Sequence, residues 1–215
     1  MTTLGDLRRE MPEFNDADRG QVERELLKGF QQLCKDTLAW QEDDSQQTVT
    51  ATTEYTLTPT TNTAVCGVIR ANYTNANSDQ IEIPITNREN LWVAHPRWLT
   101  ASSDDNSIEY LIYDGGTKVM IDKVPTAGLL AFEVRIAIYP TTSQALPAVI
   151  DRHSEAIKDY ARWRLYMLPA KVASWSDPAL AQYHRQLYDR EMLELKRKAF
   201  KEFAGPRRAK MRWFC

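Results

Sequence analysis

PAVIDRHSEAIKDYARWRLYMLPAKVASWSDPALAQYHRQLYDREMLELKRKAFKEF, the stretch Pro147–Phe203, reads as two amphipathic helices with a break between them. In 148–168, Val149, His153, Ile157, Tyr160, Leu165 and Leu168 fall near one face, and Ala156 and Ala161 allow close approach. Pro169 interrupts the pattern, and Asp177-Pro178 restarts it with a capping side chain followed by proline at the first helical position. Ala181, Tyr188, Met192, Leu195, Ala199 and Phe203 then repeat the helical spacing until Gly205-Pro206 ends it. A buried face this long needs a partner.

That partner lies near the N-terminus. Residues 16–40, DADRGQVERELLKGFQQLCKDTLAW, place Val22, Leu26, Phe30, Leu33, Thr37 and Leu38 on one face, with Asn15 or Asp16 as the expected cap. Gly20 and Gly29 each weaken an isolated helix by roughly 1 kcal/mol relative to alanine, so packing must hold this one.

Between the helices the period changes from 3.6 to 2. EDDSQQ (42–47) reads as a polar break, and QTVTATTEYTLT (47–58) as a strand with Val49, Ala51, Thr53, Tyr55 and Leu57 on one side. AVCGVIRANYT (64–74) and QIEIPI (80–85) follow, the latter with Pro84 suited to a sheet edge. In NRENLWVAHPRWL (87–99), Asn87 caps a short helical turn ending before Pro96, and Trp92 and Trp98 are expected in the core or at a subunit contact. TASSDDNS (100–107) reads as a loop. SIEYLIYD and KVMIDKV form a hairpin about Gly115-Gly116, and LLAFEVRIAIYP (129–140) is the last strand, with Phe132, Val134, Ile136 and Ile138 in phase.

The expected fold is α+β. A helical bundle of an N-terminal helix and two C-terminal helices carries an inserted antiparallel β-rich region, sandwich or barrel-like, and an extended C-terminal tail. The boundaries read 1–45 for the N-terminal helical segment, 46–146 for the insertion, 147–203 for the helical pair packing on 16–40, and 204–215 for the tail.

Charge divides the chain. Residues 1–150 carry 12 Lys+Arg against 21 Asp+Glu, and residues 151–215 carry 15 against 8. An acidic body with a basic end is suited to two different partners, to copies of itself, or simply to solvated helix faces. The tail RRAKMRWFC (207–215) has four cations and two adjacent aromatics. It suits docking in a groove of another protein, contact with nucleic-acid phosphates with Trp213 stacking on bases, or a disordered end.

Chemistry is not indicated. His95, His153 and His184 have neither helical HxxxH spacing nor a neighbouring cysteine and read as surface or subunit-contact residues. Glu42-Asp43-Asp44 and Asp104-Asp105 read as solvated charge in polar segments. Phosphate-binding glycine loops are absent, and no cofactor or metal is called for. Cys34 and Cys66 read as small core hydrophobes in a reducing compartment, and Cys215 is given no role. The chain lacks an apolar run of membrane-spanning length, and MTTLGDLRREMPEF does not read as a signal peptide.

Several stretches in this order resemble a known family. TTLGDLRRE with the 16–40 helix, TVTATTEYTLTP, NLWVAHPRWL, IEYLIYDGGTKVMIDKVP and, most closely, ALPAVIDRHSEAIKDYARWRLYML are similar to the head-to-tail adaptor (head-completion connector) proteins of tailed bacteriophages, most like those of short-tailed phages. The resemblance implies a structural, non-enzymatic virion protein at the head–tail junction, made in the host bacterial cytoplasm and without membrane contact. It implies a ring of twelve subunits beneath the portal protein, in contact with a tail or nozzle protein, with double-stranded DNA passing through unrecognised. It also implies that the C-terminal segment reaches the portal, which would give Arg207, Arg208, Lys210, Met211, Arg212, Trp213 and Phe214 a partner. The other reading is a nucleic-acid-binding module that uses the basic C-terminal third.

Overall fold

Two caps and one left-handed residue shape the N-terminal part of the chain, of which a computed structural model describes residues 2–49, 52–74, 79–94, 102–103, 108–125, 131–170 and 173–203 overall. Thr3 opens α1 (Leu4–Arg9) with a capping box. Its hydroxyl accepts from the Asp6 N–H at 3.1 Å, and the Asp6 carboxylate accepts from the Thr3 N–H at 2.9 Å. A 3-10 turn, Pro12–Phe14, follows. Asp18 then caps α2 (Arg19–Thr37), accepting from the Gln21 N–H at 3.0 Å. The helix expected over 16–40 is therefore shorter at both ends. Asp18 rather than Asn15 or Asp16 provides the cap, and Leu38, at φ 51°, turns the chain left-handed.

The C-terminal pattern also divides. α4 (Ala148–Asp151) and α5 (Ser154–Tyr166) replace the single helix read over 148–168, because the His153 N–H bonds back to the Ile150 carbonyl at 2.8 Å and tightens the chain. α6 (Pro178–Phe203) starts where expected, with the Asp177 carboxylate accepting from the N–H groups of Ala179 and Leu180 at 2.9 and 3.1 Å. Leu7, Phe14, Val22, Leu26, Phe30, Ile157, Leu165, Tyr188 and Met192 share one buried cluster drawn from all these helices. The side chains of Ala199 and Phe203 lie outside the described residues.

At Gly29, α2 comes close against α5. A Cβ there would lie 3.0 Å from the Ile157 carbonyl oxygen and 3.1 Å from the Tyr160 ring. Gly29→Ala gains about 1 kcal/mol of helix propensity but forces two backbones apart, so we expect a net loss of about 1–3 kcal/mol. Urea unfolding reads the sign. A stabilised variant would mean that the helices do not meet there.

The middle of the chain contributes β1 (Gln41–Gln47), β2 (Glu54–Thr56), β3 (Thr63–Thr74), β4 (Gln80–Ile83) and β5 (Ile85–Thr86) before the helix α3 (Arg88–Ala94). β6 (Ser102–Ser103), β7 (Leu111–Ile112), β8 (Lys118–Ile121), β9 (Val124–Pro125) and β10 (Ala131–Pro140) complete it. One antiparallel sheet has the order β1-β10-β3-β4, and a second has the order β2-β8-β7-β5. Val65, Ala71, Phe132, Val134, Ile136 and Ile138 from the first meet Tyr55, Leu111, Val119 and Ile121 from the second in a common core. Two short pairings depart from the antiparallel expectation: β5 runs parallel to β7, and β6 parallel to β9. Pro84 separates β4 from β5, so the chain leaves the edge of one sheet and joins the other at that residue.

The polar break read at 42–47 is a strand. β1 pairs along its whole length with β10, and its acids are engaged. Asp43 accepts two bonds of 2.7 Å from Arg135, which hold its carboxyl below the ordinary range. Asp44 accepts from the Thr58 N–H at 3.1 Å, and Glu42 from the Thr60 N–H at 2.8 Å. These carboxylates anchor the chain leaving β2 along the sheet edge, which corrects their reading as solvated charge. The strand read over 47–58 contracts to β2: Tyr55 and Leu57 are buried as expected, whereas Val49 is exposed. Ala51 lies outside the described residues.

Elsewhere the turns follow the local chemistry. The Asn87 side chain accepts from the Asn90 N–H at 2.7 Å to start α3, and Gly115 and Gly116, at φ 107° and 78°, close the hairpin. Trp92, read as a core or contact residue, is 54% exposed and so is outside the core; Trp98 lies outside the described residues. Cys34 is buried and Cys66 half-buried, both as free thiols. Trp40 packs against both the helical and the sandwich clusters and stacks on Phe30 at 5.8 Å, which makes this pair the joint between the two cores.

Candidate interface on the C-terminal helices

α5 and α6 run side by side and enclose an open groove of about 720 Å³, lined by acids, bases and both described histidines. Two contacts cross it. His153 Nδ1 lies 3.3 Å from Glu191 Oε1, and His184 Nδ1 lies 2.8 Å from Asp159 Oδ1. Asp159 also lies 3.7 Å from Arg162, which donates to Glu13 at 2.8 Å, so the network runs from α6 through α5 to the N-terminal turn. The Tyr166 ring covers His184 with centroids 5.7 Å apart.

These histidines were expected at the surface or a subunit contact. His153 and His184 instead have side chains only 13% and 14% exposed, and they clasp two helices of one chain. His95 lies outside the described residues. Burial pushes the His153 pKa below its ordinary value, and Arg152 and Lys198 add to this. Burial pushes Glu191 upward, reinforced by Asp159, Glu155 and Glu194. Both shifts run toward the neutral forms, opposite to the direction a dominant charge–charge attraction between His153 and Glu191 would produce, so burial outweighs their pairing. The helical i,i+4 spacing test misses both contacts because each carboxylate comes from the other helix.

The arrangement is suited to holding helices together. Among the described residues no group of three His, Cys, Asp or Glu side chains could hold a metal ion. No described helix is long and apolar enough to cross a membrane. The groove has its acids and bases interspersed, with His153–Glu191 and His184–Asp159 bonded across it, which is the chemistry of an interface.

Four basic residues of the C-terminal third are committed to carboxylates of the N-terminal helices. Lys158 reaches Glu10 at 2.6 Å, Arg162 reaches Glu13 at 2.8 Å, and Lys196 reaches Asp36 at 3.3 Å. Arg164 lies 3.7 Å from Glu25. Cations held this way are less available to phosphates, which weighs against the nucleic-acid reading. The seven tail residues Arg207, Arg208, Lys210, Met211, Arg212, Trp213 and Phe214 lie outside the described residues, and their grouping into a site rests on the sequence alone.

The family model described as SU10 adaptor protein matches residues 2–210, nearly the whole chain. No curated protein matches it.

Proposed function

The chain belongs to the SU10 adaptor protein family, and from that premise we propose that it is a structural, non-enzymatic virion protein joining the portal to the tail of a bacteriophage. In this reading identical copies form a ring, of twelve subunits by the resemblance, that continues the DNA channel and receives a tail or nozzle protein below; the short-tailed phages are the nearest parallel. The observation that carries the reading is the span of the family match, which runs through the N-terminal helices, the sandwich and both C-terminal helices into the tail.

Physical features support it. A ring wall must resist shear, and here the helical and sandwich cores are continuous through Trp40. A channel that passes DNA quickly has to avoid gripping it, and an acidic body repels phosphate. The tail 204–215 leaves α6 and docks on the portal, its aromatics filling pockets and its arginines pairing with carboxylates. The division into 1–45, 46–146, 147–203 and 204–215 then separates a helical wall, a sandwich and a docking arm.

Deletion of 206–215 tests the arm. Full-length protein mixed with purified portal is expected to co-sediment as a ring complex visible by negative-stain microscopy, and the truncated protein is expected to lose at least about tenfold in portal affinity. Full-length protein that never associates with portal would overturn the adaptor reading. Truncated protein that binds as well as full-length would remove the tail from it.

A further inference from the structure

We propose that the outward side of α6 docks on the outer face of the β1-β10-β3-β4 sheet of a second copy of this chain. The proposal names the lateral contact of the ring and rests on the ring reading above. Arg190, Leu193 and Arg197 lie on the side of α6 turned away from the buried Tyr188, Met192 and Leu195. All three are exposed, Leu193 by 50%. Among the described residues neither arginine has a carboxylate partner, whereas Arg185 pairs with Asp189 and Lys196 with Asp36. These two guanidiniums flank an exposed leucine, and Glu194 lies beside them at the edge of the α5–α6 groove, so the strip presents two cations, one anion and an apolar centre.

The complementary surface is a row across three strands. Glu133 on β10 pairs in register with Asn72 on β3, which pairs with Glu82 on β4. Paired residues share a face of the sheet, and the neighbours Phe132 and Val134 point into the sandwich, so this row points out. Glu133 and Glu82 are both exposed, and neither has an ion-pair partner among the described residues; Arg135 is committed to Asp43. Beside Glu133 is a recess of about 280 Å³ lined by Ser45, Gln47, Asn72, Thr74 and Gln80, with Glu133 its one charged lining residue. A carboxylate ringed by hydroxyl and amide oxygens is the environment a guanidinium fork prefers.

The spacings agree. Arg190 and Arg197 are seven residues apart on one stripe, a rise of roughly 10.5 Å. Glu133 and Glu82 are two strand steps apart, roughly 9.6 Å. Both surfaces are exposed in the chain and so are open to a second copy. Two different patches meeting head to tail give an assembly that propagates and closes into a ring when the rotation permits. The charge division between residues 1–150 and 151–215 has the same sign pattern.

Charge exchange on the full chain tests this. Four proteins are compared by mass photometry and negative-stain microscopy, with and without portal: wild type, Arg190→Glu/Arg197→Glu, Glu82→Arg/Glu133→Arg, and the four-site combination, each checked for folding by circular dichroism. Each double variant is expected to weaken self-association by at least about tenfold, since it sets like charges opposite each other, and the combination is expected to recover most of the loss. A wild-type ring with double variants that assemble equally well, or folded double variants that the combination fails to rescue, would overturn the inference and leave the ring reading intact. Double variants that keep the ring and lose only portal binding would also overturn it, by assigning the face to portal. Wild type that stays monomeric even with portal would overturn the ring reading, and the inference with it.

Discussion

A chain carrying Glu10→Ala and Glu155→Ala together is expected to lose about 3–5 kcal/mol of folding free energy, while Lys158→Met loses under about 1.5 kcal/mol. Lys158 is 5% exposed, and its ammonium lies 2.6 Å from carboxylate oxygens of both Glu10 and Glu155. Burial works against its charge, but the bonds from the two glutamates outweigh burial and raise its pKa. Removing both glutamates leaves a buried cation uncompensated. Removing the lysine returns two glutamates, with side chains 53% and 67% exposed, to water and keeps an apolar stem in place. Because the folded pKa lies above the ordinary 10.5, the wild-type contribution is complete at neutral pH and fades only as pH climbs through the folded value. Urea unfolding at pH 7 distinguishes these cases. Equal losses in the two variants would show that the ammonium reaches water.

Phe30→Ala is expected to lose about 3–5 kcal/mol, and Trp92→Ala to stay within about 0.5 kcal/mol of wild type. Phe30 is fully buried on α2 and stacks on Trp40 with ring planes 6° apart. The cavity would open at the joint where the helical and sandwich cores meet, so both halves should unfold at lower denaturant in one transition. Trp92 is 54% exposed on α3, and little packing is lost when it is truncated. Far-ultraviolet circular dichroism follows secondary structure and tryptophan fluorescence follows side-chain packing, so coincidence of the two curves tests for a single transition. Transitions that split in Phe30→Ala would show that the joint, rather than either core, carries the cooperativity.

Legibility in the sequence followed the range of the determining interactions. The buried faces of α2 and α6 were legible from spacing alone, as were the alternation of β10, the Asp177 cap, the Asn87 cap and the glycine hairpin. Each depends on residues within a few positions of one another. The polar stretch 42–47 defeated that reading because its pairing partner, β10, is some 90 residues away; an edge strand needs no apolar pattern when its acids bond to threonines and Arg135. Threonine-rich 47–58 failed in the opposite direction. Its alternation suits a sheet, yet among its described residues only Gln47, at the end of β1, and Glu54–Thr56 find a partner strand.

The candidate interface was legible only in its composition. The tail and the surplus of C-terminal cations stand in the sequence, but how many of those cations are free does not. By itself, the sequence determined the helical faces, the turn chemistry and the division of charge, because local periodicity and backbone sterics are properties of neighbouring residues. Tertiary structure alone decided which strands pair and that His153 and His184 clasp helices rather than face solvent. It also buried Lys158 and left Arg190 and Arg197 without a carboxylate partner among the described residues. Burial and electrostatic pairing depend on groups brought together from distant parts of the chain, and an isolated helix or strand does not contain them.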